Sequence, residues 1–400
     1  MKETNKSLKK QKKSKNANSV KLIGKNKSGK KALTSFGKTV VICLSVIIVL
    51  VIALVISVNS LITYYYSLME YTDISKETVM GDDEISKYLE TLEGEGYITG
   101  EIDPSVSEQL GGAIESIEGE RESIGGITNI LLLGVDNAGK DSAGNATYDG
   151  SMNTDSMIVL TINEKTKRII ITSLMRDSYV EIIKANGSKT NGRLNTAYLY
   201  GGYTGLFNTI EHNLGIDVDR FASVDFSSFM EIVDIIGGVD MYVTRQEAIE
   251  MNIAIELANE ILGERLSTDK LTNLADGTRH LNGKQALAYA RIRHNTGNDF
   301  GRTERQRKLI MEIAKEARSL NVTQLNRLLT TVLSKISTNL TQSEVTSLMA
   351  NAVSYLGYEI VPFRIPADNT YNNANINGKS VLMMDFVANY KTWKTLATEK

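Results

Sequence analysis

The 400-residue chain is poor in the residues that build disulfides and many metal sites, with one cysteine and three histidines. Cys43 lies within an apolar segment, so the rest of the chain has no means of forming an intrachain disulfide or a thiolate-bound metal site. His212, His280 and His294 do not show metal-ligand spacing. No order or motif suggests a Ser-His-Asp arrangement, so a covalent hydrolase mechanism has no support.

Acidic residues are almost missing from the first 38 residues, which contain thirteen lysines and one acid, Glu3. This tail carries about +12, and because the whole chain carries −2, the part after Lys38 carries about −14. Such asymmetry indicates that tail and body meet different surroundings. The tail also has almost no apolar residues, so we do not expect it to bury a core.

Charged residues are also absent from Thr39 to Ile62, an apolar segment of 24 residues. At about 1.5 Å per residue, a helix of this length spans about 36 Å and can cross a bilayer. A signal peptide would have a shorter apolar region, of about 7–15 residues, and a small-residue cleavage site that this segment lacks. We therefore predict a retained membrane-spanning helix.

The charges on the two sides of this helix predict its orientation. Lysines crowd the N-terminal side, while Glu70, Asp73 and Glu77 follow on the other side. By the positive-inside rule, the N-terminus is cytoplasmic and the C-terminal part lies outside the cell membrane. A polybasic segment beside a membrane span more often meets anionic lipid than DNA, so we expect no nucleic-acid partner.

Four regions follow from these patterns: a basic cytoplasmic tail (1–38), a transmembrane helix (39–62), an extracytoplasmic stalk (63–123) and a domain (124–400). Strands and helices interleave in the last region, which predicts an α/β fold with a mixed central β-sheet covered by helices on both faces. The predicted strands are Ile127–Val135, Ser156–Ile162, Arg168–Leu174 and Glu359–Ile365. The predicted helices are Tyr203–Leu214, Ser227–Ile236, Thr244–Leu262, Lys284–Ala290, Arg302–Leu320, Leu325–Ile336 and Gln342–Tyr355.

Two aspartates stand at the ends of predicted strands. Asp136 follows the apolar run that ends at Val135, and Asp155 precedes the run that begins at Ser156. Ligands of α/β proteins bind at such sheet edges. Two carboxylates suit Mg²⁺, which completes its coordination with water and phosphate oxygens. Strand-end capping or turn formation is the alternative interpretation of each acid.

Arginines form a second group of candidates. Arg291 and Arg293 alternate, so an extended chain would project both guanidinium groups from one face. Arg302 and Gln306 lie one helical turn apart and share a face near the start of a predicted helix. Guanidinium forks and the free amides at a helix start are suited to binding pyrophosphate.

Other charged residues give weaker signals when taken singly. Arg176 and Asp177 follow the strand that ends at Leu174, and Arg193 precedes a segment beginning at Leu194. Glu304 and Glu312 lie close to three basic side chains. We interpret these three as a solvated helix face: Arg305, Arg307 and Lys308.

Seven segments in series resemble the LytR-CpsA-Psr family. They are Leu132–Asp136, Thr154–Met157, Arg176–Ser178, Leu194–Gly202, Asp234–Asp240, His280–Arg291 and Asp299–Arg307. The resemblance is strong from about Ile127 to Leu309 and looser towards the C-terminus. One departure is visible, because the family commonly has proline before the Arg-Asp pair and this chain has Met175.

The resemblance implies a mixed-sheet α/β domain with a pocket for a polyprenyl pyrophosphate and a Mg²⁺ near the diphosphate. Asp136 and Asp155 match the magnesium carboxylates. The positions that match the phosphate pocket are Arg176, Arg193, Arg291, Arg293, Arg302 and Gln306, and Asp299 matches a further acidic position there. We predict that the catalytic residues are Arg176, Asp177, Arg291, Arg293, Asp299 and Arg302. The predicted substrate-binding residues are Arg193, Tyr198 and Gln306.

The implied activity is Mg²⁺-dependent phosphoryl transfer, in which a teichoic-acid or capsule type of glycopolymer moves from its polyprenyl-pyrophosphate carrier to peptidoglycan. Such catalysis depends mainly on positioning and electrostatics. A carboxylate could accept the proton of the acceptor hydroxyl, and Asp177 and Asp299 are both candidates. Two alternatives use the same pocket: a non-catalytic membrane-anchored regulator that binds polyprenyl phosphate, and a pyrophosphatase that uses water as acceptor.

Overall fold

A computed structural model describes residues 23–25, 31–33, 53, 57–77, 79–91, 104–122, 124–135, 156–292, 296 and 298–399. The chain divides into two compact units, Met1–Tyr64 and Tyr65–Lys400. In the first unit, β1 (Ile23–Lys25) and β2 (Lys31–Leu33) pair antiparallel, and residues 57–64 are helical. Within the described ranges, no helix is long and apolar enough to cross a bilayer, and most of the predicted span at 39–62 lies outside them.

The second unit alternates strands and helices along the chain. Its described strands are β3 (Glu70–Tyr71), β4 (Ile127–Val135), β5 (Ser156–Asn163), β6 (Arg168–Leu174), β7 (Tyr179–Ile183), β8 (Lys189–Arg193), β9 (Arg220–Asp225), β10 (Val239–Val243), β11 (Gly277–Leu281), β12 (Ile336–Thr338), β13 (Glu359–Ile365), β14 (Tyr371–Ile376) and β15 (Lys379–Met384). Its described helices with defined bounds are α1 (Asp82–Thr91), α2 (Pro104–Glu118), α3 (Ala197–Leu214), α4 (Phe226–Ile235), α5 (Arg245–Leu262), α6 (Gly283–Arg291), α7 (Asn298–Ala317), α8 (Val322–Leu333), α9 (Gln342–Tyr355) and α10 (Phe386–Thr398).

Seven strands form the central sheet in the order β13-β6-β5-β4-β9-β12-β3. The pairs β13–β6, β4–β9 and β12–β3 are parallel, while β6–β5, β5–β4 and β9–β12 are antiparallel. The predicted mixed α/β fold is therefore confirmed. The remaining strands form two-stranded ribbons, β7–β8, β10–β11 and β14–β15.

Helices pack on both faces of this sheet. Leu131 and Leu133 of β4 belong to a buried apolar cluster that includes side chains of α2, α3 and α10. Ile130, which points to the opposite face of the strand, packs instead with Leu340 and with Val345 of α9. The alternation of side chains along one buried strand thus supplies two apolar layers.

The helix α2 lies within the region predicted to be a stalk, yet it is part of the domain. Its Leu110, Ile114 and Ile117 are buried in the cluster that contains Leu131 and Leu133. These three residues follow helical spacing and form one apolar stripe. The predicted boundary between residues 123 and 124 therefore does not coincide with a boundary of the packed structure.

The predicted strands all occur, with ends that agree to within one residue. The predicted helices also occur, but some boundaries differ. The helix predicted from Tyr203 begins at Ala197, and the helix predicted to end at Ile336 ends at Leu333, because Ile336 belongs to β12. The additional first part of α3 is joined to the predicted part by a kink at Gly202. The φ of Gly202 is 60°, a value that suits glycine.

Candidate functional site

The candidate residues gather where several strands of the central sheet end. Gly134 of β4 pairs with Ser156 of β5, and Leu174 of β6 pairs with both Met157 and Ile365. The ends of β4, β6 and β13 and the start of β5 therefore share one edge. Asp136 and Asp155 adjoin this edge in sequence, but they and Arg293 lie outside the described residues.

Three arginines and two aspartates form an ion-pair cluster at this edge. Arg176 Nε donates to Asp299 Oδ2 at 3.0 Å, and Arg302 Nη2 lies 3.4 Å from Asp299 Oδ1. Arg193 Nη1 lies 3.3 Å from Asp177 Oδ1, and Arg176 Nε lies 3.7 Å from the same oxygen. Five predicted residues from three segments of the chain thus meet, and among the described residues of this cluster there are three positive charges and two negative charges.

Backbone hydrogen bonds fix the loop that carries Arg176 and Asp177. Leu382 N donates to Asp177 O at 2.9 Å, and Asn195 N donates to Arg176 O at 3.2 Å. Met175 N donates to Ile365 O at 2.9 Å. A proline at position 175 could not make this last bond, since it has no N–H. Met175, which stands where the family commonly has proline, therefore adds a backbone hydrogen bond between the ends of β6 and β13 beside the site.

The electrostatics of the cluster single out Asp177. Burial raises the pKa of Asp177 to about 6, and a hydrogen bond with Asp299 adds to the rise. Arg176 and Arg193 act in the opposite direction on this pKa. The side chain is 21 % exposed, so it is reachable from solvent although it is largely desolvated. A carboxyl with this pKa can be ionised at neutral pH and still hold a proton in mildly acidic conditions.

The first turn of α7 requires a glycine. A Cβ on Gly301 would lie 2.2 Å from the backbone oxygen of Thr296, so no larger residue fits without a backbone shift. This close contact between Gly301 and Thr296 fixes the helical turn that carries Asp299 and Arg302. Thr303 Oγ1 donates to Asp299 O at 2.7 Å, which fixes the turn further.

Arg291 and Gln306 lie beside an apolar cavity of about 300 Å³. The guanidinium of Arg291 stands 4.2 Å from the centre of the Phe226 ring, and Ser156 Oγ donates to Gln306 Oε1 at 3.3 Å. Arg291 is the last residue of α6, so the premise that it lies on an extended chain with Arg293 is wrong. Its placement next to the cavity is nevertheless consistent with binding a charged group.

The cavity itself is built from the sheet and from three helices. Strands β4, β5 and β9 form its floor, and α4, α6 and α7 form its walls, with lining residues that include Leu132, Ile158, Val224, Phe229, Leu309 and Ile313. Gly134 and Ser156 bring the lining to the sheet edge that holds the ion pairs. This shape suits a ligand with a long apolar part and an anionic head.

A second cavity, of about 380 Å³, lies at the opposite edge, near the starts of β4 and β9. Its lining includes the acids Asp217, Asp219 and Glu344. Acidic side chains repel an anionic ligand, so the cavity beside Arg291 is the better candidate for a phosphate-bearing lipid.

Tyr198 makes a contact that the sequence did not suggest. Its hydroxyl donates to Glu77 Oε1, and Tyr203 N donates to Glu77 Oε2 at 2.9 Å. The rings of Tyr198 and Tyr203 meet edge to face with centres 4.9 Å apart. In this structure Tyr198 therefore links α3 to the segment before α1, and its predicted role in substrate binding stays a prediction.

The interpretation of Arg305 as a solvated side chain is wrong, and that of Arg307 is wrong as well, because its Nη1 is buried. Arg305 is 4 % exposed and donates to Thr296 O at 2.8 Å and to Ile292 O at 2.5 Å. Lys308, in contrast, is exposed and pairs with Glu304 at 2.7 Å, as predicted for a solvated face. Helical periodicity could have revealed the difference, because Arg305 lies on the side of α7 that contains the buried Leu309.

Among the described residues, no group of three or more histidines, cysteines, aspartates and glutamates is arranged to hold a metal ion. The predicted magnesium ligands lie outside those residues. Val135 precedes Asp136 in the chain, and Ser156 follows Asp155. Both Val135 and Ser156 lie at the same edge of the central sheet. Two carboxylates attached there fit a hard cation that also binds phosphate.

Comparison with known proteins gives a consistent result. The model described as the LytR_cpsA_psr family matches residues 105–398. Biofilm regulatory protein A of Streptococcus mutans is 32% identical over 226 residues, which are 54% of this chain and 51% of that protein. The polyisoprenyl-teichoic acid–peptidoglycan teichoic acid transferase TagU of Bacillus anthracis is 30% identical over 235 residues, which are 58% of this chain and 67% of that protein.

Solved structures show the same fold. Protein gbs0355 of Streptococcus agalactiae is 27% identical, with a TM-score of 0.54, and the match covers 72% of this chain and 91% of that one. TagT bound to LIIa-WTA is 20% identical, with a TM-score of 0.50, and the match covers 69% of this chain and 94% of that one. The match to biofilm regulatory protein A spans only about half of that relative's length.

Proposed function

Because the chain belongs to the LytR_cpsA_psr family, we propose that it transfers a glycopolymer of teichoic-acid or capsule type from a polyprenyl-pyrophosphate carrier to peptidoglycan. The observation that carries this proposal is the apolar cavity whose lining extends to Gly134 and Ser156, at the sheet edge where the arginine–aspartate cluster also lies. The similarity to TagU, a polyisoprenyl-teichoic acid–peptidoglycan teichoic acid transferase, supports the class of polymer and acceptor.

In this proposal, the cavity holds the polyprenyl chain and the arginines hold the two phosphates. Arg291 at the cavity lining would meet the phosphate next to the lipid. Arg176, Arg193 and Arg302 would meet the oxygens of the phosphoryl group that carries the polymer. Guanidinium groups bind phosphate through paired, charge-assisted hydrogen bonds, and these strengthen as negative charge develops.

Asp177 is the general base in this proposal. Its carboxylate takes the proton from a hydroxyl of the acceptor sugar, whose oxygen then forms a bond to the phosphorus that carries the polymer. The bond from this phosphorus to the bridging oxygen breaks, and polyprenyl phosphate leaves with the electron pair. Asp299 serves to position Arg176 and Arg302, which it bridges at 3.0 and 3.4 Å.

Asp136 and Asp155 would hold Mg²⁺, which would neutralise charge on the diphosphate when bound. The test of this assignment is the metal requirement of the reaction. We expect a chelator to abolish transfer, and Asp136→Ala or Asp155→Ala to raise the Mg²⁺ concentration needed for half-maximal rate. Unchanged Mg²⁺ binding by both variants in calorimetry would remove the assignment.

The whole proposal is tested by incubating the purified full-length protein with lipid-linked, labelled polymer, a peptidoglycan fragment and Mg²⁺. We expect label on the fragment. Arg302→Gln should lower the rate by about 10–100-fold or more, because a charge-assisted hydrogen bond contributes about 1.5–3 kcal/mol. Lys308→Gln, which removes a charge from the exposed side of the same helix, should leave the rate unchanged.

Two outcomes would replace the proposal. Tight binding of the lipid without transfer to any acceptor fragment would favour a membrane-anchored regulator. Label released only as free phosphorylated polymer would identify water as the acceptor and the protein as a pyrophosphatase.

A further inference from the structure

Two arginines outside the ion-pair cluster are related through Phe300: the guanidinium of Arg364 lies 4.6 Å from the centre of that ring, and Arg307 follows Phe300 by two turns on the same face of α7. Arg307 is on α7, and Arg364 is near the end of β13, where it pairs in register with Ser173 of β6. Burial is the main cause that lowers the pKa of Arg307, and the positive charge of Arg364 lowers this pKa further. Like charges disfavour each other, so a negative charge beside both guanidinium groups would stabilise them.

Arg307 is only partly compensated by the protein. Glu304 and Asp368 act against the lowering of its pKa, but neither forms an ion pair with it among the described residues. Within those residues, Arg307 Nη1 is buried and has no hydrogen-bond acceptor. Buried donors are nearly always satisfied, so this nitrogen is available to donate to an acceptor that the protein itself does not supply.

Arg364 has a partner that an incoming anion could replace. Its Nη2 pairs with Asp368, a side chain that is 84 % exposed, while Arg364 itself is 15 % exposed. An ion pair with so exposed a carboxylate contributes little to stability. Arg364 Nε also donates to Pro366 O at 2.9 Å, which holds the guanidinium in place when the carboxylate moves away.

Aromatic rings complete the surroundings. The guanidinium of Arg364 lies 4.6 Å from the centre of the Phe300 ring, and the Phe300 and Tyr371 rings stack with centres 5.2 Å apart. Phe300 directly follows Asp299, so this group adjoins the ion-pair cluster. Aromatic rings with a polar edge offer apolar area to the C–H face of a sugar, and the hydroxyl of Tyr371 offers a hydrogen bond.

We propose that Arg307, Arg364, Phe300 and Tyr371 form a subsite for an anionic sugar unit, separate from the residues that hold the pyrophosphate. The arginines would bind the phosphate or carboxylate of the sugar, and the rings would contact its face. The inference rests on the proposed function, since it places a charged sugar next to the reacting phosphoryl group. That sugar is either a phosphate-bearing unit of the polymer or a carboxylate-bearing unit of the acceptor.

The test measures binding of three probes to the full-length protein at low salt: N-acetylglucosamine 1-phosphate, N-acetylmuramic acid and uncharged N-acetylglucosamine. Arg307→Gln and Arg364→Gln should each weaken binding of an anionic probe by about tenfold or more. Lys308→Gln removes the same charge from an exposed neighbouring position and should change binding by less than about twofold. Preference for the phosphate probe indicates the polymer as source, and preference for the carboxylate probe indicates the acceptor.

Two further variants keep the test decisive. Arg364→Lys retains the charge without the planar fork, so it should restore part of the binding and should unfold at the parent's temperature. Tyr371→Leu should weaken binding of the sugar phosphate more than that of inorganic phosphate. Binding that is lost in Arg193→Gln but unchanged in Arg307→Gln and Arg364→Gln would overturn the subsite. Because no transfer is measured, this result would leave the proposed reaction untouched.

Discussion

At the scale of single residues, the proposed role of Asp177 as general base leads to a prediction about how the site responds to pH. Burial and the hydrogen bond with Asp299 raise its pKa to about 6, against the pull of two arginines. A general base must be ionised to accept a proton. The rate should therefore increase as pH rises towards about 6 and level off above it.

Asp177→Asn should lower the transfer rate by about 10²–10⁴-fold and remove the rise in rate around pH 6. The measurement is the pH dependence of kcat/KM for the purified parent and variant, because this ratio reports the pKa values of the substrate-free protein. Asp217→Asn, which removes an acid at the opposite sheet edge, should keep the parent's profile. A variant of Asp177 with an unchanged rise near pH 6 would assign that rise to another group.

The same pKa makes a prediction about stability. The pKa of Asp177 is higher in the folded protein, at about 6, than the ordinary 3.8. The folded state therefore binds more protons than the unfolded state between these values, and stability contributed by this group falls as pH rises through that window. Thermal unfolding of Asp177→Asn should approach that of the parent below about pH 4 and occur at a higher temperature above pH 6. A constant difference at all pH values would contradict the raised pKa.

At the scale of elements, α7 shows what the sequence can and cannot predict. Its periodicity predicts the helix and the side that packs inwards, and it could have predicted the burial of Arg305 next to Leu309. Two acceptors of Arg305 are the backbone oxygens of Ile292 and Thr296 in the preceding loop, and a third is Glu247 Oε1 at 3.4 Å. The two backbone acceptors do not depend on the side chains of those residues, so the sequence does not identify them.

The start of α7 also supplies a test of how closely the site is positioned. Gly301→Ala places a methyl group where Thr296 O already stands, so the turn must shift. We expect a loss of about 1–3 kcal/mol in the free energy of unfolding. The transfer rate should fall as well, because Asp299 and Arg302 flank the altered residue.

The control for this variant is Gly112→Ala in α2, where an added Cβ meets nothing within 4 Å. Alanine is favoured over glycine in a helix by about 0.5–1 kcal/mol, so this variant should be slightly more stable and fully active. Denaturant unfolding and the transfer assay measure both effects. Equal behaviour of the two variants would mean that the close approach at Gly301 is unimportant.

At the scale of the whole molecule, the site exists only because distant segments meet. Arg176 and Asp299 are 123 residues apart in the chain, and Glu77 reaches Tyr198 across 121 residues. The family motifs predicted charged residues that the structure brings together, namely Arg176, Asp177, Arg193, Asp299 and Arg302. They did not predict which arginine pairs with which aspartate, since that depends on how loops from β6, β8 and α7 pack together. The same holds for α2, whose acidic surroundings suggested a stalk although its apolar stripe packs in the core.

The distribution of charge leads to a prediction about the location of the domain. The first 38 residues carry about +12 and the rest about −14, with the uncharged segment Thr39 to Ile62 between basic and acidic residues. Positive charge near a membrane span is retained on the cytoplasmic side, where anionic lipids attract it. We therefore propose that the tail is inside and the catalytic domain is outside, where peptidoglycan is built.

Protease added to intact protoplasts should digest the domain after residue 62 and spare an epitope tag at the N-terminus. Permeabilised protoplasts serve as the control, because the protease then reaches the tag as well. The lysine tail has many cleavage sites for trypsin, so survival of the tag in intact protoplasts would reflect protection by the membrane rather than resistance. Replacing most of the tail lysines by glutamine should weaken or invert the orientation, since the positive-inside rule depends on lysine and arginine near the span. Protection of the domain in intact protoplasts would place it in the cytoplasm, away from peptidoglycan, and would rule out the proposed acceptor.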